Sequence, residues 1–166
     1  MGICLGLQMA VVEFARHVCG LEDANSMEFD KETKHPVVHY VDGQESLTKK
    51  SANMRLGSYE CELTKDSMAL ELYGNKIIHE RHRHRYEVNP DFLEQYAKRG
   101  LKISGVSTEG GLVEIMELDR GLHPYFIGTQ AHPEFKSRLM SCSPLFKGLI
   151  AASLKNKTLE KTIDKT

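Results

Sequence analysis

The chain has 166 residues, of which 40% are hydrophobic and 27% charged, a balance that is ordinary for one globular domain with a real core. Lys and Arg number 22 against 23 Asp and Glu, so the net charge of -1 argues against a surface built for nucleic acid or an anionic membrane. No apolar run approaches the roughly 18 to 20 residues of a membrane span. The start of the chain lacks the pattern of a signal peptide, and the cysteines are too scattered for a disulfide framework or a Cys-rich zinc site. We therefore expect a cytoplasmic protein with reduced thiols.

Apolar residues at helical spacing predict an amphipathic helix over 7–19, which ends at Gly20. The elements predicted to follow are a loop over 21–36, a strand over 37–40, a polar loop or lid over 41–52, a strand or hairpin over 54–63 and a short helix over 66–73. Turn residues separate these segments, and the alternation of strands with helices indicates an α/β fold.

In the second half of the chain, Asn89 is predicted to cap a helix that starts at Pro90 and ends before Gly100. The later predicted elements are strands over 102–107, 112–118 and 125–130, a turn at 109–111, and a last helix over about 144–154. Residues 155–166 are rich in Lys and Thr and predict a flexible tail.

The first residues of the chain match a motif that occurs in catalytic sites. Gly2, Cys4 and Gly6 have the spacing of a nucleophile elbow, in which small residues let a strand and a helix approach closely. The elbow would aim Cys4 at the start of the helix, where free N–H groups and the helix dipole favour a thiolate. An elbow needs a strand before it, and only residues 1–3 precede Cys4. The motif is therefore either a small buried cysteine between glycines or the remnant of a longer chain.

A cysteine nucleophile needs a histidine base and an acidic group that orients the base. His132 and Glu134 follow the predicted strand that ends near Gln130, and Pro133 stiffens the link between them. Catalytic groups commonly lie at the carboxyl ends of strands, so this pair is the candidate partner of Cys4. The alternative is an exposed histidine at a strand end.

Residues 80–87 form a run of cationic and titratable side chains. In an extended segment Arg81, Arg83 and Arg85 would share one face, where they could bind phosphate or RNA, or where one Arg could clamp a carboxylate. A solvated strand edge is the plainer interpretation. His79, His82 and His84 lack further ligands at metal-binding spacing, so we predict no metal site.

Cys4 and its neighbours in the segment Gly2-Ile3-Cys4-Leu5-Gly6-Leu7-Gln8, with His132-Pro133-Glu134 downstream, resemble the class I glutamine amidotransferases. The chain is similar to the glutaminase domain of the CTP synthase family in further blocks at 23–29, 54–57, 80–89, 130–135 and 143–144. The resemblance implies an α/β fold with a mainly parallel central sheet flanked by helices. It also implies a partial domain over 1–154 that starts at the elbow and lacks the first strands of the family.

The resemblance implies roles for the catalytic residues. Cys4 would attack the side-chain amide of glutamine and form a γ-glutamyl thioester, with release of ammonia. His132 would act as general base and then acid, and Glu134 would orient it. The backbone N–H of Leu5 would be one donor of the oxyanion hole.

The same resemblance implies a glutamine-binding set. Gln8 and Glu28 match family residues that hold the amino-acid head group, and Arg85 matches the arginine that pairs with its carboxylate. The backbone of Tyr86 would lie beside that carboxylate. Reading both charges of the zwitterion would favour a free amino acid over a peptide.

In the whole enzyme the resemblance implies that ammonia passes to a synthetase domain, which uses ATP, Mg and UTP to make CTP, with GTP as activator. The partners implied are L-glutamine, that domain and the other subunits of a tetramer that can form filaments, with no nucleic acid or membrane. The glutaminase domain itself is expected to bind no cofactor. The alternatives are an inactive fragment or non-catalytic interaction module, and a hydrolase of γ-glutamyl peptides.

Overall fold

The structure is a computed structural model that describes residues 1–40 and 54–163, with side chains as far as residue 158. The predicted loop over 41–52 lies outside the described residues. The strands are β1 (Gly2–Ile3), β2 (Ala24–Ser26), β3 (His35–Tyr40), β4 (Arg55–Leu63), β5 (Ile77–His84), β6 (Tyr86–Val88), β7 (Leu101–Ser107), β8 (Val113–Leu118) and β9 (Ile127–Thr129). The helices are α1 (Leu5–His17), α2 (Met68–Tyr73), α3 (Leu93–Lys98) and α4 (Pro144–Ile163), with short 3-10 turns at Pro90–Phe92 and Pro133–Phe135.

The main sheet is six-stranded, in the order β1-β9-β8-β7-β4-β5. The α/β class is confirmed, but the expectation of a mainly parallel sheet is wrong. Among the described strands of this sheet, β1 and β9 pair in parallel and every other neighbouring pair is antiparallel. A short connection accounts for one of these pairs, β7 with β8, because a tight turn can join only antiparallel neighbours. The turn between β7 and β8 contains Gly110 and Gly111, both at positive φ, as such a reversal requires.

This sheet curls until its opposite edges meet. β1 and β5 are at the two ends of the strand order. Nevertheless, the backbone N–H of His132, just after β9, donates to the carbonyl of Arg81 on β5 at 2.7 Å. The thiol of Cys4, just after β1, lies 4.0 Å from the carbonyl oxygen of Arg83 on the same strand. The interior of the curl is therefore enclosed by the sheet itself.

A second, three-stranded sheet has the order β2-β3-β6. Its first strand, β2, lies in the segment predicted as loop, and the prediction of a loop there is wrong. β2 is held by pairing with β3 and by burial of Ala24 and Ser26. A short polar segment of three residues does not predict this pairing from the sequence. This sheet packs with α1 in one hydrophobic cluster, while α2 and α4 pack on the main sheet in another.

The helices follow the sequence with shifted ends. α1 buries Leu7, Val11, Phe14 and Ala15, as its apolar spacing predicts. The side chain of Asn89 accepts a hydrogen bond from the N–H of Asp91, so the predicted cap is confirmed. α4 continues to Ile163, beyond its predicted end at residue 154, so the expected flexible tail is helical for most of its length. The domain division at that residue stays a prediction. Within the described ranges, the structure has no helix both long and apolar enough to cross a bilayer.

Candidate active site

Cys4 sits at the turn between β1 and α1, in the backbone conformation that an elbow requires. Its φ of 49° and ψ of −106° place a non-glycine residue in a region that side chains rarely adopt. Its N–H donates to the carbonyl of Thr129 at 2.8 Å, and its own carbonyl accepts from the N–H of Leu7 at 3.0 Å. The strained residue is therefore fixed on both sides by backbone hydrogen bonds.

The two glycines of the elbow are not equivalent. A Cβ on Gly2 would lie 2.6 Å from the backbone carbon and oxygen of Gly6, so β1 and α1 can cross only because this side chain is missing. A Cβ on Gly6 would meet nothing within 4 Å. The expectation that both glycines allow the close approach is thus confirmed for Gly2 and wrong for Gly6.

This asymmetry gives a matched pair of variants. Gly2→Ala is expected to lower the free energy of unfolding by about 1–3 kcal/mol or more, because backbone must move to admit the methyl group. Gly6→Ala is expected to raise the free energy of unfolding by about 0.5–1 kcal/mol, since alanine is the better helix former and has room here. Urea denaturation of both variants measures the difference. Equal effects of the two changes would contradict the geometry.

The thiol of Cys4 is partly buried beside a hydrogen-bond donor. Nε2 of Gln130 donates to Sγ at 3.6 Å. Burial raises the pKa of the Cys4 thiol, and the N–H of Leu5 together with Gln130 opposes that rise by favouring the thiolate. The predicted oxyanion donor, Leu5, therefore has its N–H at the sulfur, on the first turn of α1.

Gln130 is oriented by a directed chain of hydrogen bonds. The amide Nε2 of Gln8 donates to the carbonyl of Tyr86 at 3.0 Å and to Oε1 of Gln130 at 3.1 Å. Because the Tyr86 carbonyl can only accept, the amide of Gln8 must present its N–H groups, and the N–H group of Gln130 is then turned to Cys4. Gln130 was not selected from the sequence. The available signal in the sequence was a polar residue at the end of a predicted strand, just ahead of the His-Pro-Glu motif. In the structure Gln130 is fully buried.

His132 and Glu134 form the predicted pair. Nδ1 of His132 lies 2.6 Å from Oε1 of Glu134, and the imidazole stacks on Phe135 with ring centroids 4.9 Å apart. Among the described hydrogen bonds, none joins His132 to the thiol of Cys4. Both residues contact the same edge of β5, through the carbonyls of Arg81 and Arg83, which are two residues and so roughly 7 Å apart.

A cavity of about 220 Å³ opens beside Cys4. Its lining includes the predicted residues Cys4, Leu5, Gln8, Glu28, Arg85 and Tyr86, and also Met54, Arg83 and His84. His132 and Glu134 are not part of the lining. The cavity thus brings the elbow cysteine together with every residue predicted to bind glutamine, although these come from α1, the segment after β2, the bend after β5 and the start of β6.

Strand geometry places the charged side chains of 80–85 on two different faces of β5 and in the bend that follows it. β5 alternates between exposed and buried side chains, so Arg81 and Arg83 share the exposed face. Arg85 follows the end of β5 in a bend and is half-buried at the cavity, which Arg83 also lines. His82 and His84 point inward. Within the described part of the chain, no group of three or more His, Cys, Asp or Glu side chains is arranged to hold a metal ion.

A buried charge cluster lies inside the curl, behind the cavity. Arg55 contacts Oε1 of Glu114 at 2.7 Å and Oε1 of Glu87 at 3.2 Å. Nδ1 of His82 lies 2.9 Å from Nε2 of His84, which closes a circuit of side chains between both carboxylates. Burial raises the pKa of Glu87 to about 8 and lowers the pKa of His82 to about 3 and of His84 to about 4. This cluster was not predicted from the sequence, because charged residues usually lie on the surface.

The fold and this site define an α/β protein whose strand-to-helix elbow presents a cysteine to a small polar cavity, with a His–Glu pair after the neighbouring strand. A family model described as Glutamine amidotransferase class-I matches residues 1–152. The chain belongs to the class I glutamine amidotransferase family.

Within this family the similar proteins are CTP synthases. The chain is 58% identical over 154 residues to the CTP synthase of Methanococcus maripaludis, which covers 93% of this chain and 28% of that protein. It is 50% identical over 157 residues to the CTP synthase of Flavobacterium psychrophilum, covering 95% of this chain and 29% of that protein. A solved glutaminase domain of the Trypanosoma brucei enzyme, with bound acivicin, superposes with a TM-score of 0.84 at 40% identity over 93% of this chain and 59% of that one. The chain therefore spans less than a third of the length of these curated relatives.

Proposed function

We propose that this chain hydrolyses the side-chain amide of glutamine at Cys4. The observation that carries the proposal is the cavity, in which the elbow cysteine meets Gln8, Glu28 and Arg85. A nucleophile and a set of groups able to recognise an amino-acid zwitterion share one space of about 220 Å³. Membership in the class I glutamine amidotransferase family supports the same reaction.

The proposed chemistry runs through a thioester. His132 takes the thiol proton of Cys4, and the resulting thiolate attacks the amide carbon of glutamine. The N–H of Leu5 stabilises the negative charge that develops on the carbonyl oxygen. His132 gives a proton to the departing nitrogen, so the C–N bond breaks and ammonia leaves. His132 then removes a proton from water, which attacks the thioester and releases glutamate and the Cys4 thiolate. Glu134 holds the imidazole through its Nδ1.

Recognition of the substrate is proposed to use both charged ends. The guanidinium of Arg85 pairs with the α-carboxylate, for which its planar fork is suited. The carboxylate of Glu28 faces the α-ammonium. The amide N–H groups of Gln8 are occupied by Tyr86 and Gln130, so its carbonyl oxygen is the atom left to accept from that ammonium. The Tyr86 backbone then lies at the carboxylate end of the substrate.

The wider role follows from the relatives. We propose that the ammonia serves the amination of UTP to CTP in a synthetase domain that uses ATP and Mg, with GTP as activator and a tetramer as the assembly. ATP, Mg and UTP would be used by the synthetase domain, and this chain spans 28% of the length of its Methanococcus relative. L-glutamine is the partner that the cavity itself would take.

Acivicin, the ligand in the Trypanosoma structure, provides the first test. The chain is incubated with acivicin and measured by intact mass, with Cys4→Ala as the control. We expect a single adduct that is lost completely in the variant and is suppressed by added glutamine. An unmodified mass from folded chain would contradict the proposal.

The same experiment separates two other functions. Suppression by γ-glutamyl peptides as strong as that by glutamine would indicate a peptide hydrolase, because such peptides keep both free α-charges and differ from glutamine only by the substituent on the side-chain amide nitrogen. A cooperative thermal melt without any adduct would indicate a non-catalytic interaction module. The shared cavity favours a catalytic site over the interaction module, and the family match favours glutamine as the substrate.

A further inference from the structure

The buried charge cluster of Arg55, His82, His84, Glu87 and Glu114 forms a closed circuit. Arg55 bridges Oε1 of both carboxylates, and Nδ1 of His84 lies 3.4 Å from Oε1 of Glu87. Nε2 of His82 lies 3.5 Å from Oε2 of Glu114. Every member is nearly inaccessible to water, with side-chain exposures of 10% or less.

The directions of the hydrogen bonds in this circuit are fixed from one end. Nδ1 of His84 bonds to the carbonyl of Tyr86 at 3.1 Å, and a carbonyl can only accept, so Nδ1 of His84 carries a hydrogen. A neutral His84 then has a bare Nε2. The 2.9 Å contact between this nitrogen and Nδ1 of His82 requires a hydrogen on His82 Nδ1.

The far end of the circuit lacks a hydrogen. A neutral His82 that is protonated at Nδ1 presents a bare Nε2 to Oε2 of Glu114. Among the described residues, this buried oxygen has no hydrogen-bond donor. Two acceptors therefore face each other in a site without water contact, an arrangement that is costly unless a proton lies between them.

The geometry points to one additional proton held between His82 Nε2 and Glu114 Oε2, which neutralises the cluster behind the glutaminase cavity. Arg55 carries one positive charge, and Glu87 and Glu114 together would carry two negative charges. One additional proton therefore brings the net charge of the cluster to zero. The raised pKa of Glu114 and of Glu87, both caused by burial, agrees with a proton retained in this cluster at neutral pH.

This proton is linked to Cys4 by charge. The negative charge of Glu87 raises the pKa of the Cys4 thiol. Loss of the proton leaves one uncompensated negative charge behind the cavity and disfavours the thiolate further. The other groups that act on the cluster are the imidazole of His132, on both histidines, the Cys61 thiol beside Glu114, and the Tyr59 ring, which lies edge-on to His82. Arg55, Glu87 and Glu114 do not line the cavity and act on the nucleophile through their charges, a role that rests on the proposed function.

The histidine tautomers test the proposal directly. The full chain, labelled with 15N-histidine, is titrated by NMR from slightly acidic to alkaline pH, since 15N shifts distinguish protonated from bare imidazole nitrogens. Glu114→Gln is the test variant: its amide can accept from Arg55 and donate N–H to His82 permanently. Glu109→Gln, on the exposed turn before β8, removes the same charge outside the cluster.

At neutral pH we expect hydrogens on Nδ1 of both His82 and His84, with His82 Nε2 in a hydrogen bond. At alkaline pH the wild type and Glu109→Gln should lose that hydrogen bond, whereas Glu114→Gln should keep it. A hydrogen on Nε2 of His84 would overturn the inference. So would a His82 Nε2 that takes part in no hydrogen bond at neutral pH. If Glu114→Gln does not fold, the wild-type spectra decide alone.

Alkylation of Cys4 by iodoacetamide, read by peptide mass across the same pH range, tests the link to the nucleophile. The alkaline rise in rate should move to lower pH in Glu114→Gln and stay in place in Glu109→Gln. An unchanged profile in Glu114→Gln would overturn the link. Neither measurement requires glutamine turnover, so a failure of the proposed glutaminase function is distinguishable from a failure of this inference.

Discussion

Arg55→Met is expected to lower the free energy of unfolding by about 3–5 kcal/mol, because it leaves Glu87 and Glu114 buried without their shared counter-charge. Arg55 is 9% exposed and is held by both carboxylates, with Tyr59 stacked at 4.4 Å from its guanidinium. Methionine keeps much of the volume and removes only the charge and the donors. Urea denaturation measures the change.

The matched control is Arg120→Met. Arg120 pairs with Glu71 at 2.8 Å, but both side chains are more than half exposed, and such surface pairs contribute about 0–1 kcal/mol. The combination Arg55→Met with Glu87→Gln and Glu114→Gln should recover part of the loss, since no uncompensated charge remains. Similar effects of the two arginine changes would show that the cluster is not an energetic unit.

His132→Asn is expected to slow the acivicin modification of Cys4 by at least about 100-fold, the lower end of what a positioned general base contributes. Asparagine has no titratable nitrogen to take the thiol proton, and it leaves the backbone contact of residue 132 with Arg81 intact. The rate of adduct formation by intact mass provides the measurement.

Two variants control this result. Glu134→Gln should give a smaller loss, because the imidazole stays in place through its stacking on Phe135 while its carboxylate partner becomes neutral. His17→Asn, on the exposed face of α1, should leave the rate unchanged. If His132→Asn reacted as fast as the unchanged chain, His132 would not be the base of this cysteine.

Local patterns identified the parts of the site that are close in sequence. The spacing of Gly2 and Cys4 predicts an elbow, and the structure provides the unusual φ of Cys4 that the elbow requires. His132 and Glu134 are two residues apart and bond directly. Arg85, Glu28 and Gln8 were placed by family resemblance, and they line one cavity because the fold joins segments that no sequence spacing connects.

Features that depend on strand pairing could not be predicted in this way. A parallel sheet was expected from the family resemblance, whereas the pairing of β4 with both β5 and β7 is decided by long-range register. The buried face of β5 carries Glu80, His82 and His84, and its strict alternation with exposed residues was the available signal. The alternation was used to place Arg81, Arg83 and Arg85 on one face, but burial of the opposite face was not predicted because the segment is so strongly charged. Gly6 shows the opposite error, since symmetry of spacing around Cys4 does not imply symmetry of packing.

The curl of the main sheet sets the order in which the site can form. The contact of Cys4 with Arg83 spans 79 positions and that with Gln130 spans 126, so the thiol gains part of its surroundings through contacts between distant segments. Such contacts carry a large loop-closure entropy and form late in folding. Reactivity of Cys4 toward a glutamine analogue is therefore a reporter of finished folding, and a partly unfolded chain keeps its nucleophile unreactive.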